Sequence, residues 1–184
     1  MALPIVIVGV KHTGKSVAAT TVAKHFGRAV VDTDLLVQAL DATESDMRRP
    51  VREIYRQDGA VRFHQLEAAA LQLALSRDDA PVVATGGGIC DNTRAIGLLL
   101  DQFIVHLIDS FDRIAARVFR SGIPAFLRAT EIGKAKSEFY ELFLKRNERY
   151  AQMATITVNL EGLDPQTAGE KICLTLEEHI SGRQ

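Results

Sequence analysis

The sequence has no large excess of positive or negative charge. Its 184 residues include 22 Lys and Arg against 23 Asp and Glu, which gives a formal net charge of −1 at pH 7. Such a chain has no overall field that would attract nucleic acid or an anionic membrane, so an anion must be bound by a local cluster of donors. The counts predict a protein that binds small molecules, with no nucleic-acid or membrane partner.

Cysteine and histidine patterns that bind transition metals are also missing. Cys90 and Cys173 are the two cysteines, they lie 83 positions apart, and the five histidines show no H-x-x-x-H or H-E-x-x-H spacing. These spacings argue against a structural or catalytic zinc site. The two thiols are expected to be reduced and buried, as small hydrophobic side chains.

The N-terminal segment contains no long apolar run. It has no basic region before the apolar residues, and Gly9 and Lys11 interrupt the run soon after it begins. This pattern is not that of a signal peptide or a membrane span, so a cytoplasmic protein is expected. The length fits one domain over residues 1–184, and a monomer is expected.

Short apolar runs alternate with segments of helical periodicity along the whole chain. Strands are predicted at 3–8, 29–31, 81–85, 103–108 and 155–158. Helices are predicted at 14–26, 35–77 with breaks at Pro50 and Gly59, 92–100, 111–119, 134–150 and 165–179. Strands that alternate with helices indicate an α/β protein with a parallel sheet covered on both faces. Residues 120–133 have no clear periodicity and are predicted to be a mobile loop.

A phosphate-binding loop is predicted where the first strand meets the first helix. The segment from Gly9 to Ser16 matches G-x-x-x-x-G-K-[ST] at every fixed position. In this motif backbone N–H groups and the helix N-terminus bind phosphates, the lysine reaches the β- and γ-phosphates, and the hydroxyl binds Mg²⁺. The alternative is a glycine-rich turn with an exposed lysine. The predicted ATP-binding residues are Gly9, Thr13, Gly14, Lys15, Ser16 and Val17.

Two acids, Asp32 and Asp34, follow the second predicted strand. The carboxyl ends of parallel strands face the ligand crevice, and residues two apart on an extended chain point the same way. One carboxylate could hold Mg²⁺ and the other could accept a hydroxyl proton from a substrate. The alternative is that Asp34 only caps the helix that follows.

Three consecutive glycines, Gly86, Gly87 and Gly88, follow the third predicted strand. Glycines are expected where the chain turns sharply or where a ligand touches the backbone, because they have no Cβ. A plain turn between strand and helix remains the alternative.

The order of these motifs resembles the shikimate kinase family over essentially the whole chain. The carriers are the P-loop, Asp32-Thr33-Asp34, the Ala84–Gly88 segment, a segment from Val51 to Glu67, and a segment from Lys145 to Thr155. The resemblance implies a three-layer P-loop kinase fold with a five-stranded parallel sheet in the order 2-3-1-4-5. It also implies ATP and Mg²⁺ as cofactors, an acceptor-binding helical region near 33–60, a lid at 120–133, and transfer to a hydroxyl of a small cyclohexene acceptor.

The resemblance also assigns roles to individual residues. Lys15 and Asp34 would be catalytic, Ser16 and Asp32 would bind the metal, and Arg117 would lie near the adenine beside residues 160–162. The residues implied to bind the acceptor are Asp34, His64, Gly86, Gly87, Gly88 and Arg146.

Two positions depart from the family pattern. His64 stands where the family motif Phe-Arg-x-x-Glu has its arginine, and Ile123-Pro124-Ala125 stands where the lid has Arg-Pro-Leu. A neutral imidazole offers one donor and isoleucine none, whereas a guanidinium offers five. Arg120 or Arg128 could supply the lid contact. Three functions therefore remain open: a shikimate kinase, a related kinase for another hydroxylated acceptor, and a nucleotide-binding regulatory protein with weak activity.

Overall fold

A computed structural model describes residues 3–45, 48–124 and 126–182. Its strands are β1 (Ile5–Val8), β2 (Val30–Asp32), β3 (Val82–Ala84), β4 (Phe103–Ile108) and β5 (Ile156–Asn159). Its helices are α1 (Lys15–Phe26), α2 (Thr33–Ser45), α3 (Val51–Leu75), α4 (Thr93–Leu99), α5 (Phe111–Val118), α6 (Ile132–Met153) and α7 (Pro165–Ser181). Short 3₁₀ turns span Ile89–Asp91 and Phe119–Ser121.

The five strands form one parallel sheet in the order β2-β3-β1-β4-β5. Val6 of the central strand β1 is level with Val83 of β3 and with Ile104 of β4. Each predicted strand is present within one or two residues of its expected position. The predicted fold and strand order are therefore confirmed.

Side chains alternate across the sheet and build a core on each face. Val6 and Val8 pack on one face with residues of α3, α4, α5 and α6, whereas Ile5 and Ile7 pack on the other with residues of α1 and α7. This period of two, with both faces covered by helices, is the physical basis of the three-layer architecture.

The predicted breaks in the helical region are found, with one change at its start. Gly59 has φ +79° inside α3, a conformation that favours glycine, and Pro50 directly precedes α3. At the start, however, Thr33 and Asp34 belong to the first turn of α2 and do not extend β2. The expectation that Asp32 and Asp34 lie on one extended segment is therefore wrong.

The described residues include both cysteines and the lid segment except Ala125, which lies outside them. Cys90 and Cys173 are buried and unpaired, as predicted. Within the described ranges, no helix is both long enough and apolar enough to cross a membrane.

Candidate active site

The P-loop curls closely around β4 and the start of α1. Gly9 has φ +149°, and a Cβ there would lie 2.6 Å from the carbonyl oxygen of Leu107. Gly14, at φ +92°, precedes Lys15, the first residue of α1. Both positions need glycine, because other residues are strained at these angles. The turn thus leads directly into the N-terminus of α1, which is a favourable place for an anion.

Lys15 lies buried within this loop. Its side chain donates from Nζ to the carbonyl oxygen of Val10 at 3.0 Å, and the residue is 8% exposed. Burial lowers the pKa of Lys15 to about 8, while Asp34 and Asp32 act in the opposite direction. The alternative of an exposed lysine in a plain turn does not agree with this burial.

Ser16 and Asp32 bring two oxygen ligands together at the end of β2. The Ser16 hydroxyl donates to Oδ2 of Asp32 at 2.9 Å, and Oδ1 of Asp32 accepts the N–H of Asp34 at 2.9 Å. A hydroxyl beside a carboxylate suits a hard cation such as Mg²⁺. No group of three His, Cys, Asp or Glu side chains in the described ranges is arranged to hold a metal ion.

The same contacts correct the capping alternative for Asp34. The side chain that accepts an N–H in the first turn of α2 belongs to Asp32, because β2 ends there and the helix begins at Thr33. Asp34 instead lines a cavity of about 880 Å³ beside the P-loop, called the main cavity. Burial, and next to it the charge of Asp32, raise the pKa of Asp34 above its usual value.

The triple glycine allows three parts of the chain to meet. A Cβ at Gly87 would lie 2.7 Å from the backbone nitrogen of Lys11, and one at Gly88 would lie 3.1 Å from Nη2 of Arg146. The N–H of Gly86 donates to Oγ1 of Thr33 at 3.1 Å. The turn therefore packs against the P-loop, the start of α2 and helix α6 at once.

We expect Gly87→Ala to damage the site, since the added methyl group would push against P-loop backbone. Overpacking of this kind costs typically about 1–3 kcal/mol of stability. We also expect turnover to fall at least about tenfold, because misplacing reacting groups by 1 Å can cost about a hundredfold. Thermal unfolding and ADP release measure the two effects. Gly97→Ala is the control, since a Cβ there meets nothing within 4 Å; equal behaviour of the two variants would contradict the prediction.

Arg146 reaches the turn from α6. Its guanidinium donates to Oδ2 of Asp91 at 2.9 and 2.8 Å and to the carbonyl oxygen of Gly87 at 3.2 Å. It also lies 5.9 Å from the ring centre of Phe126, and Nζ of Lys11 lies 5.8 Å from the same ring. Phe126 of the predicted lid thus contacts both the P-loop and α6.

One cavity of about 880 Å³ joins these groups. The predicted site residues that line it are Gly14, Lys15, Ser16, Val17, Asp32, Asp34, His64, Gly86, Gly87, Gly88 and Arg146. Arg128 also lines it, whereas Ile123 packs against the core. The proposed substitute Arg120 is not among its lining residues.

A second cavity, of about 320 Å³, shares His12, Gly14 and Val17 with the first. Thr13 and Arg117 line it together with Leu160 and residues of α7. Arg117 donates to the carbonyl oxygen of His12 at 2.9 Å and pairs with Asp109 at 3.2 Å. Gly9 lines neither cavity, and its part in the site is the backbone turn of the P-loop.

Glu67, Asp91 and Phe126 are among the lining residues to which the sequence analysis assigned no role. Glu67 was visible as part of a motif, but nothing in the sequence marked it as a buried carboxyl group in the cavity. Asp91 and Phe126 had no signal, because their contacts are made with residues distant in sequence.

This chain resembles known proteins over nearly its whole length. A family model described as "Shikimate kinase" matches residues 11–177. The shikimate kinase of Salinispora tropica is 29% identical, over 96% of this chain and 99% of its own. That of Rhodococcus jostii is 27% identical, over 97% and 100%.

Solved structures give the same result for the fold. The shikimate kinase of Acinetobacter baumannii in complex with shikimate superposes with a TM-score of 0.83, at 21% identity, over 97% of this chain and 95% of its own. That of Aquifex aeolicus superposes with a TM-score of 0.74, at 23% identity, over 98% and 99%. Together with the family match over nearly the whole sequence, these findings show that the chain belongs to the shikimate kinase family.

Proposed function

We propose that this protein transfers the γ-phosphoryl group of ATP to a hydroxyl group of shikimate, with release of ADP and 3-phosphoshikimate. The family is one of kinases that phosphorylate a hydroxyl group and use ATP. The observation that carries the choice of site is the cavity of about 880 Å³, which both the buried Lys15 and Asp34 line and in which their charges interact. This cavity can hold the phosphates of ATP beside the acceptor, while Arg117, the residue assigned to the adenine, lines the second cavity.

Lys15 and the P-loop N–H groups would bind the β- and γ-phosphates. Phosphoryl transfer depends on positioning and on neutralising charge more than on covalent chemistry. The buried ammonium group lies at the N-terminus of α1, where helix and lysine act on the same anion. Ser16 and Asp32 would hold Mg²⁺, which supplies further positive charge to the phosphates when bound.

Asp34 would accept the proton of the attacking hydroxyl. Its carboxyl faces the cavity, and a helix cap is already provided by Asp32. A protein that only binds nucleotide needs no such acid. This arrangement supports a kinase over a regulatory nucleotide-binding protein.

Arg146 would bind the acceptor's carboxylate. Its contacts with Asp91 and Gly87 use three of the five N–H groups of a guanidinium, so two donors are left by these contacts within the described part of the chain. Arg128 lines the same cavity, whereas Arg120 does not. Arg128 is therefore the better candidate for the arginine that contacts the acceptor from the lid. We assign the acceptor region to α2 and the first part of α3, and the lid to residues 120–133.

ADP release across a panel of hydroxylated carboxylic acids, with shikimate among them, tests the proposal. We expect the highest kcat/KM for shikimate. Preferred turnover of another acid would assign the protein to a related kinase with a different acceptor. ATP binding without turnover of any acid would leave a nucleotide-binding protein and contradict the proposed reaction.

We expect His64→Arg to lower the shikimate KM about tenfold or more. A charge-assisted hydrogen bond to a carboxylate contributes about 1.5–3 kcal/mol, and 1.4 kcal/mol is a factor of ten in affinity. His64 lines the cavity, so an arginine there can reach the acceptor. Ile123 packs against the core, so Ile123→Arg should give no gain. Steady-state kinetics with both variants decides, and an unchanged KM in His64→Arg would contradict the prediction.

A further inference from the structure

Glu67 is a carboxyl group buried at the acceptor end of the main cavity. It belongs to α3, is 2% exposed, and lines the cavity. The mechanism above gives it no role. A buried carboxyl group is costly unless it is neutral, paired or hydrogen-bonded.

The amide of Asn92 fixes which oxygen of Glu67 accepts a hydrogen bond. Nδ2 of Asn92 donates to Oε2 of Glu67 at 2.9 Å and to the carbonyl oxygen of His64 at 2.8 Å. Oδ1 of Asn92 accepts the N–H of Ala95 at 3.3 Å, at the start of α4. Since the amide oxygen is engaged there, its NH₂ group must face Glu67, and Oε2 is an acceptor.

The other oxygen of Glu67 lies near Gly86, as does one oxygen of Asp34. A Cβ at Gly86 would lie 3.1 Å from Oε1 of Glu67 and 3.0 Å from Oδ1 of Asp34. Both oxygens therefore border the same point beside the glycine turn. Two carboxylates that share a site cannot both ionise easily, because like charges repel at low dielectric.

The charged neighbours of Glu67 come from three other elements. Asp34 comes from α2, Asp91 from the 3₁₀ turn after the glycines, and Arg146 from α6. His64 lies one turn earlier on α3 itself, and Arg146 is held by Asp91. Burial raises the pKa of Glu67 to about 7, the hydrogen bond from Asn92 lowers it, and the charge of Asp34 raises it.

We propose that Glu67 is a specificity-determining residue. Its carboxyl group donates a hydrogen bond from Oε1 to an oxygen of a polyhydroxylated acceptor, and that oxygen lies next to the hydroxyl group whose proton Asp34 accepts. The inference rests on the proposed function. A donor and an acceptor placed side by side select two neighbouring hydroxyl groups, because one accepts from Glu67 and the other donates to Asp34. The pair therefore favours an acceptor with adjacent hydroxyls over a single alcohol.

The donor exists only while Glu67 holds its proton. Above pH 7 an ionised Glu67 would present a second negative charge to the acceptor oxygens and to an anionic acceptor. The folded-state pKa lies above the ordinary 4.5, so the folded protein binds more protons than the unfolded chain between about pH 4.5 and 7. The contribution of Glu67 to the free energy of unfolding therefore falls as pH rises through that window.

Calorimetric titration of shikimate from pH 6 to pH 8, without nucleotide, tests the proposal. We expect the Kd of the parent to rise about tenfold across this range, as the binding-competent fraction falls. Glu67→Gln, which keeps a donor at every pH, should show a nearly constant Kd close to the parent value at pH 6. Glu53→Gln, a carboxyl on the same helix outside the cavity, is the control and should follow the parent.

His64 is a second titratable group in this pocket, so His64→Gln completes the set. The rise in Kd must persist in that variant, which also keeps the test decisive if Glu67→Gln does not fold. A parent Kd that is constant from pH 6 to 8, or a rise that disappears in His64→Gln, would overturn the role of Glu67. Shikimate that neither binds nor turns over at any pH would overturn the proposed function itself.

Discussion

Lys15→Ala should lower kcat about 100- to 1,000-fold and weaken ATP binding. Removing one preorganised charge or donor from a developing anion typically costs this much. The lysine is buried in the loop with its Nζ on the carbonyl oxygen of Val10, so no solvent-exposed side chain can replace it easily. ADP release with saturating acceptor measures kcat, and titration of ATP measures binding.

The control for this variant is Lys24→Ala. Lys24 lies in the last turn of α1 and is exposed, on the same helix but far along it from the P-loop. Both variants remove one positive charge, so they separate a local role from a change in net charge. Equal turnover in Lys15→Ala and the parent would exclude the assigned role.

Asp34→Asn should lower kcat about 100- to 10,000-fold and change the ATP Kd by less than about twofold. A positioned proton acceptor contributes about this range to a reaction rate. The amide keeps the size of the carboxyl group but accepts no proton. ATP binding should persist, because the P-loop and the contact between Ser16 and Asp32 are unchanged.

Stability separates catalysis from helix capping in this experiment. Because Asp32 accepts the N–H in the first turn of α2, the free energy of unfolding should change by less than about 1 kcal/mol in Asp34→Asn. Asp112→Asn, an exposed acid in the first turn of α5, gives the reference for a first-turn carboxylate without catalytic duty. Full activity in Asp34→Asn would show that Asp34 has a structural role and no catalytic one.

The fold and the phosphate site were readable from sequence because their signals are local. A parallel sheet buries both faces of each strand, so its strands appear as short apolar runs between helical segments. The P-loop needs glycine where φ is positive and where backbone comes within 2.6 Å of a would-be Cβ, and both needs fix residue types at fixed spacing. Chain geometry over eight residues determines such a motif.

The position of each acid could be read only in part. Asp32 and Asp34 were both expected at the ligand edge, and both line the cavity. Which of the two accepts an N–H at the start of α2 depends on where β2 ends and α2 begins. Sequence patterns place such a boundary only to within a few residues. The hydrogen bond from the N–H of Asp34 shows that Asp32 is the acid that accepts it.

The surroundings of the predicted acceptor-binding residues were decided largely by tertiary structure. The sequence by itself determined a P-loop, a parallel sheet, and an altered acceptor motif at His64. It did not determine that Ile123 packs inwards, that Arg128 borders the cavity, or that Glu67 shares one point beside Gly86 with Asp34. These contacts join α2, α3, the glycine turn and the lid across long sequence separations, and their geometry is set by how the helices pack on the sheet.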